Sequence, residues 1–223
     1  MALADRQFAE ARRQMVLTQL RPNKVIDEAL IGAMAATPRE QFVPKAYRGV
    51  AYVDEDVSLG KGRALMEPMV LARLLQEADI QPGDVALAVG CGTGYDLAVL
   101  ARLASTAIGL ESDPALAAEA GRILQSLSID NAPVIEGALA EGLPKQGPFN
   151  VILLCGAVPE IPAALAGQLA EGGRLVGVVR PAGAPVGSAV LVKKAGNALN
   201  RRVLFDAQTL PLPGFARPSG FVF

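Results

Sequence analysis

Three glycines alternate in Gly90-Cys91-Gly92-Thr93-Gly94, directly after the apolar run Val85-Ala86-Leu87-Ala88-Val89 and directly before Tyr95 and a helix-forming stretch. Such a turn lets the backbone pass close beneath a ligand, because a Cβ would collide and φ must be free to turn positive. It also opens onto a helix N-terminus, where unpaired N–H groups and the positive end of the dipole suit a carboxylate or phosphate. The next β-like run, Thr106 to Leu110, is followed at once by Glu111. An acid at the tip of the neighbouring parallel strand is placed to accept both hydroxyls of a ribose. Turn and acid together indicate a nucleotide-like ligand.

The spacing narrows the choice. Dinucleotide sites read G-x-G-x-x-G, with the pyrophosphate on the helix end. Here the third glycine arrives one residue early, and the wider turn suits the amino-acid end of S-adenosylmethionine better than a pyrophosphate. A glycine turn without a ligand is the plainer alternative, and an NAD site is the other. The chain contains no histidine. That removes Ser-His and Cys-His nucleophile pairs, imidazole general bases and nearly all zinc sites, so no metal is expected. Two cysteines, Cys91 and Cys155, make no disulfide framework and read as small packed residues in a reducing cytoplasm.

The elements that must position the turn follow from periodicity. Apolar residues recur at helical spacing over Asp5 to Leu20 and Val25 to Ala35, with Pro22-Asn23 between them. An irregular arm runs to about Arg63, and a third helix starts at Glu67-Pro68, proline being favoured at the first helical position. From Asp84 strands and helices alternate: strand 84–89, helix 94–103, strand 106–110, and a helix capped by Asp113 with Pro114 at its first position. Strands near 133–136 and 149–155, a helix near 161–170 closed by Glu171-Gly172-Gly173, and strand 174–179 complete the series. Continuous apolar strands between helices predict a parallel sheet covered on both faces, with the turn and Glu111 together at its C-terminal edge. Runs 188–193 and 201–206 supply an antiparallel pair, and the tail from Pro211 docks on the body.

Composition bounds the rest. The 223 residues are 51% hydrophobic and 19% charged, which predicts a globular chain with a substantial core. Lys plus Arg is 21 and Asp plus Glu is 22, leaving a net charge of −1 and no broad basic face for nucleic acid. The N-terminal residues lack the apolar core of a signal peptide, and no run approaches the roughly 18 apolar residues of a membrane span. The expectation is therefore one domain over 1–223: N-terminal helices and acceptor loop at 1–66, a doubly wound core at 67–206, and a docked tail at 207–223. A cytoplasmic monomer with no membrane or nucleic-acid partner goes with it.

Beyond the turn, several short motifs follow one another in a set order. They are Met15-Val16-Leu17-Thr18-Gln19-Leu20-Arg21, Pro38-Arg39-Glu40-Gln41-Phe42-Val43-Pro44, Ala51-Tyr52-Val53-Asp54, Leu59-Gly60-Lys61-Gly62, Pro82-Gly83-Asp84, Ile161-Pro162 and Gly172-Gly173-Arg174-Leu175-Val176. In this series the chain resembles the protein-L-isoaspartate O-methyltransferase family of class I S-adenosylmethionine-dependent methyltransferases. The resemblance implies a Rossmann-like α/β fold with a mainly parallel seven-stranded sheet, helices on both faces and an N-terminal helical cap. It implies S-adenosylmethionine as cofactor, held by Gly90, Cys91, Gly92, Thr93, Gly94, Tyr95, Glu111, Ser112, Ala138 and Leu139. It also implies a peptide or protein carboxylate as acceptor.

The departures fall at the acceptor loop and the adenine pocket. The family's Q-T-I-S-x-P is Arg63-Ala64-Leu65-Met66-Glu67-Pro68 here, so Met66 stands in the serine position and no catalytic residue is assigned. The family's acid before the turn is Ala88, its G-D-G is Gly137-Ala138-Leu139, and the acid that often precedes its fourth strand is Asn150. Arg63 and Glu67 become the candidate acceptor-binding residues, since an arginine fork clamps a carboxylate bidentately. A surface arginine, or an Arg63–Glu67 pair, is the alternative. The diverged readings are a methyltransferase for another acceptor and a non-catalytic binding module.

Overall fold

The computed structural model describes residues 3–215. Helix α1 (Leu3–Met15) runs into a wider π-turn at Val16–Leu20, and α2 (Glu28–Ala36) starts where Asp27 accepts the amides of Ala29 and Leu30. A hairpin of β1 (Val57–Gly60) and β2 (Arg63–Leu65) precedes α3 (Pro68–Ala78). The alternating core follows as β3 (Val85–Val89), α4 (Tyr95–Ala101), β4 (Thr106–Glu111), α5 (Pro114–Ser126), β5 (Val134–Glu136), β6 (Phe149–Val158), α6 (Ala163–Gly167) and β7 (Leu169–Val179). Strands β8 (Gly187–Ala195) and β9 (Ala198–Ala207) close the series.

Seven strands form one sheet in the order β5-β4-β3-β6-β7-β8-β9. The first five in that order are mutually parallel, and β8 and β9 add an antiparallel edge. Residue alternation divides the core between the two faces. Ala86 and Ala88 of β3 belong to the cluster containing Leu71 and Leu74 of α3, Leu97 and Leu100 of α4, and Ile123 and Leu124 of α5. Leu87 and Val89 belong to the opposite cluster, with Leu165 of α6, Leu139 and Leu212. That second face is covered by one short helix, a loop and the tail.

The element between β6 and β7 differs from expectation. In place of a helix over 161–170, α6 ends at Gly167, and Leu169 already pairs with Phe149. Gly172 does adopt a left-handed φ of 70°, but inside an irregularity of β7 rather than at a helix end. The side chain of Gln168 explains the early stop: it bonds Leu143 N, Glu141 O and Ala164 O, tying the last turn to the preceding loop. Gly142 admits that side chain, since a Cβ there would meet Gln168 Oε1 at 2.5 Å.

The start of α5 follows the expected design. Asp113 accepts the amides of Ala115 and Leu116 at 2.9 and 3.1 Å, with Pro114 in the first helical position. Lys61 at the hairpin tip pairs with the same carboxylate at 2.5 Å. Losing a capping side chain costs about 1 kcal/mol. Asp113→Ala is accordingly expected to lower stability by about 1 kcal/mol in urea denaturation, with no change of fold by circular dichroism.

Pro211 bridges Ala157, so the tail docks as a short parallel addition at the end of β6. Of the expected aromatic anchor, Phe215 packs against the second cluster, while Phe221 and Phe223 lie outside the described residues.

Candidate functional site

Register places the turn and the acid side by side. Val89 pairs with Leu110, so Gly90 and Glu111 occupy adjacent strand ends, and Gly90 N donates to Leu110 O at 2.8 Å. Gly90, Gly92 and Gly94 all have positive φ, of 76°, 55° and 94°. Every residue from Gly90 to Tyr95 is buried. Cys91 directs its sulfur towards Gly109, where a Cβ would stand 2.9 Å from it, and its thiol is pushed up by burial and by Glu111. Thr93 donates to Phe42 O at 2.5 Å and fixes the turn to the Pro38–Pro44 segment. Tyr95 meets Phe42 edge-on and lies under the Arg39 guanidinium, 4.7 Å from its ring centre. Ser112 is exposed.

Glu111 is fully buried, and its carboxylate is already committed. Arg63 Nη1 donates to Oε1 at 2.6 Å and Nη2 to Oε2 at 2.9 Å, a bidentate fork, while Nη2 also reaches Gly90 O at 2.7 Å. Gly92 N donates to Oε2 at 2.8 Å, and Ser112 N and Asp113 N donate to Oε1 at 2.8 and 3.0 Å. Burial opposes ionisation of this carboxyl. The Arg63 fork and the amides of Asp113 and Gly92 outweigh it and hold the group below the ordinary glutamate range.

Sequence reasoning gives Arg63 a carboxylate to clamp; the structure supplies Glu111 in place of an acceptor. Arg63 is neither a surface residue nor paired with Glu67, because β2 turns it inward, 6% exposed, over the strand tips. Glu67 instead stands just before α3 without capping it, and its amide donates to Asp56 Oδ1 at 2.9 Å. Its carboxyl is pushed up to about 7 by burial and by the neighbouring charges of Asp54, Asp56 and Glu55. Met66 is fully buried, and its carbonyl accepts Arg39 Nη2 at 2.7 Å.

The adenine side departs further. Ala138 is exposed, whereas Leu139 turns in and packs over the turn. A Cβ built on Gly90 would meet Leu212 Cδ2 at 2.6 Å, Arg63 Nη2 at 3.0 Å and Leu139 Cδ1 at 3.4 Å. One built on Gly92 would meet Leu59 Cδ1 at 2.8 Å. The space over both glycines is therefore filled by the chain's own side chains. A donor with a ribose does not fit these residues as they stand: its diol has no free oxygen on Glu111, and its body has no room above Gly90.

Asp56 and Leu212, and Leu59 beyond its place in a motif, are residues at the site that sequence reasoning did not assign to it. Asp56 Oδ2 accepts Thr209 Oγ1 at 2.7 Å and Leu210 N at 3.2 Å, latching the tail. The proline-flanked Leu212 carried a signal, as an apolar side chain within a segment expected to dock. Asp56 carried none, since its partners in the tail lie more than 150 residues away. Among the described residues no group of His, Cys, Asp and Glu could hold a metal ion, and no helix is long and apolar enough to cross a membrane.

A family model described as protein-L-isoaspartate(D-aspartate) O-methyltransferase matches residues 11–211. The protein-L-isoaspartate O-methyltransferase of Koribacter versatilis is 43% identical over 208 residues, covering 93% of this chain and 92% of the relative. That of Roseiflexus castenholzii is 36% identical over 208 residues, covering 93% and 94%. A solved protein-L-isoaspartate O-methyltransferase superposes with a TM-score of 0.80 at 24% identity, over 92% of this chain and 67% of that one. A Plasmodium falciparum methyltransferase of the same description, solved with S-adenosyl-L-homocysteine, gives 0.75 at 21% identity, over 93% and 98%. At those identities the structures show the shared Rossmann-like fold. Joined to the order of the motifs and the placement of the glycine turn, these matches show that the chain belongs to the protein-L-isoaspartate O-methyltransferase family of S-adenosylmethionine-dependent methyltransferases.

Proposed function

We propose that the reaction of this chain is that of its family, methylation of the side-chain carboxylate of isoaspartyl residues in proteins. The observation that carries the reading is the Gly90–Gly94 turn beside Glu111, in a chain matched to the family over residues 11–211. The acceptor chemistry agrees with the composition. A carboxylate is ionised at neutral pH, with an ordinary pKa of about 3.9, so it needs no general base and a chain without histidine can serve it. What the protein must supply is position.

On the acceptor side, a groove between the hairpin and the tail is lined by Asp56, Ser58, Ala64, Glu67, Arg180 and Thr209. Arg63 faces Glu111, which leaves the candidate contacts to Glu67 and Arg180. Glu67, with its carboxyl near 7, is partly protonated at neutral pH and donates a hydrogen bond to an acceptor carboxylate. Action on peptide or protein carboxylates, the monomeric state and the cytoplasmic setting belong to the same proposal.

A second reading, the non-catalytic binding module, is favoured by the Arg63–Glu111 fork and by the burial of Met66 where the family has a hydroxyl. Incubation with a labelled methyl donor and an isoaspartyl peptide separates the two. Label is expected in the peptide, declining as the pH rises through about 7, with Glu67→Gln flattening the profile. A folded protein that transfers no label to the peptide at any pH overturns the isoaspartyl reading, and one that also fails to bind the methyl donor decides for the module.

A further inference from the structure

We infer that the donor cradle of this chain is closed by its own side chains, with the Arg63 fork standing on Glu111 where a ribose diol would stand and Leu212 plugging the space over Gly90. The inference rests on the family reading of the turn. An ionised carboxylate offers about four lone-pair sites. On Glu111, two N–H groups of Arg63 and the amides of Gly92, Ser112 and Asp113 are directed at those sites. No acceptor capacity is left for two hydroxyls unless Arg63 withdraws.

The closure is built from three separate segments. The β1–β2 hairpin contributes Leu59 and Arg63, and its tip is held by the Lys61–Asp113 ion pair. The loop after β5 contributes Leu139, 2% exposed. The tail contributes Leu212, 5% exposed, held by Ala157 N on Leu210 O at 2.9 Å and by Leu212 N on Ala157 O at 2.8 Å. Gly156 makes the seat for the plug, since a Cβ there would stand 2.9 Å from Leu212 Cδ2. Asp56 pins the same tail to the hairpin side. Hairpin, loop and tail are thus mutually braced over the turn.

The test is calorimetry with S-adenosyl-L-homocysteine on the wild type, on Leu212→Ala and on Arg63→Gln/Leu212→Ala. Thermal melts establish that each variant is folded, and Leu212→Ala carries the comparison if the double variant is not. The wild type is expected to bind weakly, in the millimolar range, and opening the cradle to improve affinity by roughly 100-fold, the scale of one charge-assisted hydrogen bond. Micromolar binding by the wild type, unimproved in the variants, overturns the closure and leaves the family reading standing. If folded wild type and variants alike bind nothing, the reading of the turn as a donor site fails instead. Amide exchange of the wild type then decides the closure separately. Exchange at Gly92, Ser112 and Asp113 only through global unfolding supports it, and fast local exchange at those amides overturns it.

Discussion

Glu111→Ala is expected to lower stability by about 3–5 kcal/mol, the cost of breaking a buried ion pair from one side. The substitution strands the Arg63 guanidinium, 6% exposed, with Gly90 O as its one remaining acceptor. It also removes the acceptor of three backbone amides, those of Gly92, Ser112 and Asp113. A cofactor contact alone would give a different result, with weaker ligand binding and unchanged stability. Urea denaturation of the ligand-free protein reads the difference directly. The double variant Arg63→Met/Glu111→Leu is expected to recover part of the loss, because a pair replaced from both sides leaves no stranded charge. A loss below about 1 kcal/mol for Glu111→Ala would put the pair in the class of exposed salt bridges and contradict its burial. The carboxyl also sets a sign for pH. Its folded pKa is depressed, so its contribution is present above the ordinary glutamate range and disappears as the pH falls through the folded value.

Asp96→Asn is expected to act in the opposite sense, raising stability by about 2–3 kcal/mol above pH 6. Asp96 lies in the first turn of α4, 3% exposed, and its Oδ1 has no hydrogen-bond partner. Burial pushes its carboxyl up to about 6, against the attraction of Arg39 and a hydrogen bond from Cys155. A raised carboxyl pKa means that the folded chain holds a proton which the unfolded chain has already released. Stability is therefore full below the unfolded value of 3.8, falls as the pH rises towards about 6, and stays reduced above it. The asparagine variant lacks that fall. Urea midpoints at pH 4, 5, 6 and 7 for both proteins supply the check, and parallel curves would show that Asp96 does not titrate in this window.

The parts legible in the sequence were those set by neighbours along the chain. The strand–turn–helix around Gly90–Gly94, the Asp113–Pro114 cap and the β8–β9 pair each follow from local spacing. The length of α6 was not legible, because Gln168 ends it through bonds to residues 141 and 143, which periodicity does not register. The candidate site divides the same way. That turn and acid meet at one sheet edge follows from topology, and that Arg63 clamps a carboxylate follows from its fork. Which carboxylate it clamps depends on the hairpin folding back over β4, a contact across 48 residues. Ala138 illustrates the converse. It stands at a position the resemblance assigns to the cofactor, yet the loop turns Leu139 inward and leaves Ala138 in solvent.

The position of Leu212 in the chain has a consequence for synthesis. Every residue of the sheet, through Ala207, leaves the ribosome before Thr209–Leu212 does. Arg63 and Glu111 are both present once β4 has been translated, whereas Gly90 and Gly156 wait for a side chain translated more than 100 residues after Glu111. A chain that stops short of Leu212 therefore cannot complete the cover over Gly90.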